Sequence, residues 1–265
     1  MPPDLAPAHG GRAILLAGPG DASDIVANYL SARVDGLEVL LEQPQSRLEL
    51  ARRRAKRRGW PAVTGQILFV TLAMPVLRWR GRGRIATIES EAGLDPTPHS
   101  VRYRVDSVNS QATIEVLRAV RPDVVVVNGT RVIAANVLEA ISCPIINIHA
   151  GITPAYRGAH GGYWALADGR PDQVGTTVHL VDRGIDTGGV LGRASFAVTD
   201  GDSIATYPYL HLAAGLPVLG EQVDRALAGE TLVPLADPEA AGASRLRLHP
   251  TLVEYLRRRV GNGVR

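Results

Sequence analysis

Two short apolar runs bracket a stretch just long enough for a helix: Asp123 to Val127 (DVVVV) and Pro144 to Ile148 (PIINI), with Ile133 to Ile141 between them. Four consecutive β-branched residues suit a strand buried on both faces, the environment of an inner strand in a parallel sheet covered by helices. Parallel neighbours cannot be joined by a tight turn, so the intervening residues must cross over, and strand twist makes the crossover right-handed. The same alternation begins earlier, with Arg12 to Ala17 (RAILLA) as a strand, Gly18-Pro19-Gly20-Asp21 as a turn, and Ser23 to Arg33 carrying Ile25, Val26, Tyr29 and Leu30 at helical spacing. Leu37 to Leu41 predicts a second strand and Leu48 to Arg58 a second helix. Farther on, Thr176 to Leu180 and Val190 to Val198 alternate as strands, and Ile204 to Ala228 predicts a long helix interrupted by Pro208 and Pro217. The expected class is α/β, an open, doubly wound, mostly parallel sheet.

The chain has 265 residues, 45 % of them apolar and 21 % charged, which suits one soluble globular fold and excludes collagen, coiled coil and wholesale disorder. We expect residues 1–11 to be a loose lead-in, 12–229 the main domain, and 230–265 a wrapping or partly ordered tail too short for a second sizeable domain. Cys143 is the sole cysteine, which excludes an intrachain disulfide framework and points to a reducing compartment. The opening MPPDLAPAHG lacks the basic start and apolar run of a secretory leader, so the expected location is cytoplasmic. His9, His99, His211 and His249 have no spacing that suggests shared metal ligation, and no metal is expected.

The net charge of +3 hides an asymmetry. From Arg47 to Arg84 there are eleven Lys or Arg and one acid, Glu49, a local balance of +10 that leaves −7 for the rest of the chain. Within this segment Ile67 to Leu77 (ILFVTLAMPVL) is nearly continuous apolar sequence, too short by itself to span a bilayer. Residues 61–100 therefore read as a helical basic and apolar insert, with two interpretations open. It is a core or homodimer-interface helix with solvated Arg ends, or an interfacial segment that brings residues 47–84 to an anionic membrane surface.

The strand ending at Ile146 runs into Asn147-Ile148-His149, at the rim where open α/β sheets bind ligands. Alternation places Asn147 and His149 on one side of the extended chain. Ala150 to Gly158 follows as a turn-rich loop, and Gly184-Ile185-Asp186-Thr187-Gly188-Gly189 offers a carboxylate among glycines. An amide, an imidazole and a carboxylate suit acyl transfer to an amine: Asn147 and His149 stabilise the developing oxyanion, and Asp186 orients His149 or takes up the proton the amine must lose. His179, inside its strand, reads as a satisfied core histidine.

These residues carry a resemblance. Asn147-Ile148-His149, the Pro154 to Gly158 loop, Gly175-Thr176-Thr177-Val178-His179 and Asp182 to Gly189 together resemble the signature of formyltransferases that use 10-formyltetrahydrofolate, over about Asp123 to Val198. The resemblance implies a formyltransferase-like Rossmann variant, Asn147, His149 and Asp186 as the catalytic residues, and 10-formyltetrahydrofolate as co-substrate. It also implies that backbone groups of Arg131, Val132 and Ile133 and of Asp182, Arg183 and Gly184 hold the pterin.

For the acceptor, Pro19 removes an amide donor from the first turn and Asp21 adds charge of the same sign as phosphate, which disfavours a ribonucleotide phosphate there. Asp21 also has a structural reading as the N-cap of the first helix. The tail leaves no room for the additional tRNA-gripping domain of the methionyl-tRNA branch, so tRNA is not the expected partner. Gly151 to Trp164 (GITPAYRGAHGGYW) resembles the sugar N-formyltransferase branch. The expected acceptor is a small primary amine, an amino sugar or its nucleotide- or lipid-linked form, contacted by Gly151, Arg157 and His160. Two other functions stay open: a 10-formyltetrahydrofolate hydrolase, and a catalytically silent protein that binds lipid or nucleic acid.

Overall fold

The structure, a computed structural model, describes residues 11–236 and 244–265. Most of the lead-in and residues 237–243 of the tail lie outside the described residues. Seven strands form one sheet: β1 (Ala13–Ala17), β2 (Glu38–Glu42), β3 (Tyr103–Val105), β4 (Val124–Asn128), β5 (Ile145–His149), β7 (Gly175–Leu180) and β8 (Val190–Ser195). Their order is β3-β2-β1-β4-β5-β7-β8. The first five pair in parallel, β7 pairs antiparallel with β5, and β8 pairs antiparallel with β7, so that β7 alone runs against the others. Every residue of β1 and β4 is buried, as expected for inner strands.

Alternate side chains of these strands enter two cores. Ala13, Leu15, Val124, Val126 and Ile146 pack with α1 (Asp21–Ser31) and α8 (Tyr207–Leu227) on one face. Ile14, Leu16, Val125, Val127 and Ile145 pack with α5 (Gln111–Val120) and α6 (Ala135–Leu138) on the other. The crossover helix α6 is shorter than the expected Ile133–Ile141 because Arg131 to Ala134 runs as an irregular loop along the sheet rim. The strand β8 ends at Ser195, short of Val198. In α8, Pro208 occupies the first turn, where no intrahelical N–H is needed, and Pro217 is accommodated without ending the helix.

The order β2-β1-β4-β5 reverses direction between β1 and β4, which makes the carboxyl ends of those strands the switch point of the fold. There Gly18 donates its N–H to Asn128 O at 2.8 Å, and a Cβ on Gly18 would stand 2.0 Å from Gly129 O. Only glycine permits the two loops to approach this closely.

The tail and the insert pack against each other. Residues 245–247 form β9, which pairs in parallel with β6 (Tyr156–Gly158), and α9 (Leu252–Asn262) packs against the insert. After the basic α2 (Arg47–Arg58), the chain turns at Gly59 (φ 81°) into α3 (Trp60–Leu68), a π-helical turn (Phe69–Ala73) and α4 (Met74–Ala92). Together they make a helix of 33 residues, long and apolar enough by length and composition to cross a membrane, contrary to the expectation drawn from the apolar run alone. One face is held by protein: Phe69 is fully buried in a third core with Tyr163, Trp164, Tyr207 and Tyr255, of which Tyr163 and Trp164 lie in α7 (Gly161–Ala167). The other face is exposed.

Candidate active site

Strand alternation brings Asn147 and His149 to the same side of β5, and the antiparallel register sets His179 of β7 opposite Asn147. The His179 ring is fixed by its own backbone. Its Nδ1 donates to Leu180 O at 2.7 Å, since a carbonyl can only accept. With the proton on Nδ1, Nε2 accepts from Asn147 Nδ2 at 3.1 Å. This orients the Asn147 amide and leaves its second N–H free to donate. A bulge at Val178/His179 in the pairing with β8 sets the local aim of the strand.

His149 is fixed in the same manner. Its Nε2 lies 2.8 Å from Tyr156 O and must carry the proton of that bond, which leaves Nδ1 facing Asp186 Oδ1 at 3.5 Å. Burial pulls the His149 pKa below its ordinary value, although the Asp186 charge and the bond to Tyr156 O oppose this. Burial raises Asp186, but the neighbouring imidazoles of His179 and His149 and the Gly158 N–H outweigh it and hold the carboxyl below its usual range. Asp186 sits in the left-handed region at φ 51°, a conformation Asp tolerates better than most residues, and Oδ2 accepts from Gly158 N–H at 2.8 Å. The loop is held by close packing: a Cβ on Gly188 would stand 1.7 Å from Leu180 O. A proton arriving at His149 Nδ1 is therefore met by a carboxylate already ionised and already oriented.

Two cavities open at the switch point and share Gly129. The first, about 280 Å³, contains Asn147, His149, His179 and Asp186, and its walls are the loops Gly129–Ile133 and Val181–Asp186 apart from Arg183. Arg131 is committed to the wall itself, with its N–H and Nε donating to the buried Glu42 carboxylate at 2.7 and 2.6 Å. Within the described residues the backbone N–H groups of Val132 and Ile133 bond to nothing, although both residues line the cavity. Paired donors left open beside such a polar cluster are a ready edge for a flat, hydrogen-bonding heterocycle.

The second cavity, about 620 Å³, lies between the Pro19–Ser23 turn, α4 and α8. Asp21, Ser23, Arg78, Asn128, His160, Tyr209 and His249 are its polar residues. The helix N-cap is Gly20, not Asp21 as one reading expected, and the Asp21 carboxylate instead accepts from Tyr209 OH at 3.1 Å. His160 and His249 bond to each other at 2.8 Å, and burial first, then neighbouring positive or histidine groups, push them down to about 3 and about 4. Both rings are neutral near pH 7.

A family model for formyl transferase matches residues 75–210, half of the chain. The chain belongs to the formyl transferase family. Among its relatives, a methionyl-tRNA formyltransferase from Syntrophomonas wolfei is 28 % identical over 187 residues, 66 % of this chain and 57 % of its own length. This formyl transferase spans about half the length of the methionyl-tRNA formyltransferases it matches. In fold it is similar to a glycinamide ribonucleotide transformylase from Symbiobacterium toebii (TM-score 0.55, 21 % identity, covering 91 % of this chain and 94 % of that one). It is also similar in fold to a sugar N-formyltransferase from a Shewanella species (TM-score 0.53, 13 % identity, covering 86 % and 74 %).

The sequence-predicted residues of this formyl transferase are placed unevenly. Asn147, His149 and Asp186 converge, and Arg131, Val132, Ile133, Asp182 and Gly184 surround them. The Arg183 side chain points away, exposed and paired with Glu139. His160 lines the second cavity, but Gly151 and Arg157 line neither. Gly151 is a packing position, because a Cβ there would stand 2.5 Å from Tyr156 O, and Arg157 donates to Ile185 O at 3.0 Å, bracing the loop before Asp186. His179, expected to be a core residue, is part of the site, and so are the Tyr156 carbonyl and the Gly158 N–H. The antiparallel register that would have exposed them follows no local sequence signal.

Proposed function

We propose that this formyl transferase moves a formyl group from 10-formyltetrahydrofolate to the primary amine of a small acceptor, an amino sugar or a carrier-linked form of one. The observation that carries the reading is the cleft in which Asn147, His149 and Asp186 meet beside the open N–H donors of Val132 and Ile133. Those donors, with the Asp182–Gly184 backbone opposite, suit the hydrogen-bonding edge of a pterin. When bound, the co-substrate supplies a formyl carbon on a nitrogen able to leave. The free Asn147 N–H donates to the formyl oxygen as negative charge develops there. His149 Nδ1 and Asp186 take the proton lost by the attacking amine as its lone pair forms the new C–N bond, and can return it to the nitrogen that departs with the old bond's electron pair.

The second cavity supports the acceptor class. Its helix start carries the Asp21 carboxylate where a phosphate would need an anion cradle, so a cationic or hydroxylated head group fits better than a phosphate at that point. The test is absorbance-monitored release of tetrahydrofolate with a panel of amino sugars and with no acceptor, comparing wild type with His149→Ala. Acceptor-dependent release abolished by the substitution supports the proposal. Acceptor-independent release would convert it to a hydrolase, and failure to bind folate would remove it.

A further inference from the structure

The exposed side of the insert is the largest feature the proposed chemistry does not use. Trp60, Ile67, Leu68, Leu72, Val76 and Trp79 are all solvent-exposed, with Leu72 at 56 % and Trp79 at 64 %. They recur at steps of one to seven residues along a single helix. The five-residue step from Ile67 to Leu72 falls in the π-helical turn, whose wider period keeps them on one side. From Trp60 to Trp79 the stripe extends roughly 28 Å at 1.5 Å per residue. Scattered surface hydrophobics need no explanation, but a contiguous stripe with a tryptophan at each end does.

The charge around it is of one sign. From Leu50 to Ile88 there is no Asp or Glu, and Arg52, Arg53, Lys56, Arg57, Arg58, Arg78, Arg80 and Arg82 are exposed. Among the described residues none of these pairs with an acid; Arg84, by contrast, is bound to Asp202 at 2.9 Å. Arg82 stacks over Trp79, its guanidinium carbon 4.9 Å from the ring centroid. The opposite side of the helix is anchored through Val63, Gln66, Phe69, Leu77 and Ile88, all buried, so the helix cannot leave the protein to span a bilayer without opening the third core.

We propose that the Trp60–Trp79 face docks on an anionic lipid bilayer, with the apolar stripe among the acyl chains, the tryptophans at the headgroup level and the arginines on lipid phosphates. Apolar burial and basic charge act together at such a surface, each Lys or Arg adding to the attraction of an anionic leaflet. RNA would answer the charge but leave the aliphatic residues in water. The same helix reaches the chemistry: Val70, Met74, Pro75 and Arg78 line the second cavity. Resting on the formyl-transfer reading, this placement extends it: the acceptor is an amine on a lipid carrier, whose tail remains in the bilayer while its head group enters beside His160 and Asp21.

The experiment uses the full chain and sedimented vesicles of phosphatidylcholine with about one third phosphatidylglycerol, against pure phosphatidylcholine, at low and high salt. Binding should require the anionic lipid and weaken with salt, and tryptophan emission should shift to the blue. Leu72→Glu with Val76→Glu, both at exposed positions, should lower partitioning at least about tenfold while thermal unfolding stays cooperative and unchanged. Absence of vesicle binding, equal binding by the double variant, binding of tRNA instead of vesicles, or a dimer abolished by the double variant without vesicle binding would each overturn the proposal. Calorimetric binding of 10-formyltetrahydrofolate is read in parallel. Folate binding by the wild-type chain without vesicle binding refutes the docking face, whereas vesicle binding without folate binding refutes the catalytic reading.

Discussion

Replacing Asp186 by Asn tests the arrangement at the centre of the site. The asparagine keeps an oxygen for the Gly158 N–H and tolerates the left-handed backbone at φ 51°, so the loop should fold as before. What disappears is the negative charge 3.5 Å from His149 Nδ1. With an effective dielectric of about 20, a unit pair at that distance interacts by about 5 kcal/mol, an upper bound on the support given to a proton at Nδ1. General acid–base catalysis contributes about 10²–10⁴-fold, equivalent to about 3–5 kcal/mol, so the two magnitudes agree. We expect kcat for formyl transfer to fall by about 10²–10⁴, with folate affinity within a few-fold and an unchanged unfolding temperature. The assay is stopped-flow release of tetrahydrofolate at saturating acceptor, alongside calorimetric folate titration. A variant with kcat within threefold of wild type would refute the assignment of proton uptake to the His149–Asp186 pair.

His179→Ala removes the acceptor that orients the Asn147 amide and should lower kcat by about tenfold or more while circular dichroism is unchanged, on the scale of one buried hydrogen-bond partner lost. Phe69→Ala empties a fully buried site against Tyr255, at a ring distance of 5.1 Å, and should cost about 3–5 kcal/mol in chemical denaturation; a loss below 1 kcal/mol would mean that the third core is not cooperative with the sheet. Gly188→Ala forces a Cβ toward Leu180 O and should lower the melting temperature and folate affinity together, as read by calorimetry. Burial pushes His211 and His160 down to about 3 and His249 to about 4, below the ordinary value of 6.5. The unfolded chain therefore binds their protons first, and stability is full above pH 6.5 and declines as pH falls toward about 3. Each group contributes about 1.4 kcal/mol per pH unit at most, visible as a falling urea midpoint, and His211→Gln should flatten the slope.

Much of the sheet was legible from local pattern. The Val124–Val127 run announces an inner strand because four β-branched residues have no other favourable environment, and Asn147 and His149 share a face because strand side chains alternate. Asp186 was legible through its glycines, which mark a loop that must pass close to other backbone. His179 was not, because its place depends on β7 running antiparallel to β5, and Gly151 and Arg157 line neither cavity because a turn's composition does not say which way it packs. The insert shows the same division. Its sequence alone established a basic, apolar helix, since composition and periodicity act through neighbouring residues. Which face that helix keeps for the protein, and which it leaves to solvent, was decided by Phe69 and Leu77 meeting α7, α8 and α9 across the chain. Burial is a property of residues distant in sequence that happen to become neighbours, and only tertiary structure sets who those neighbours are.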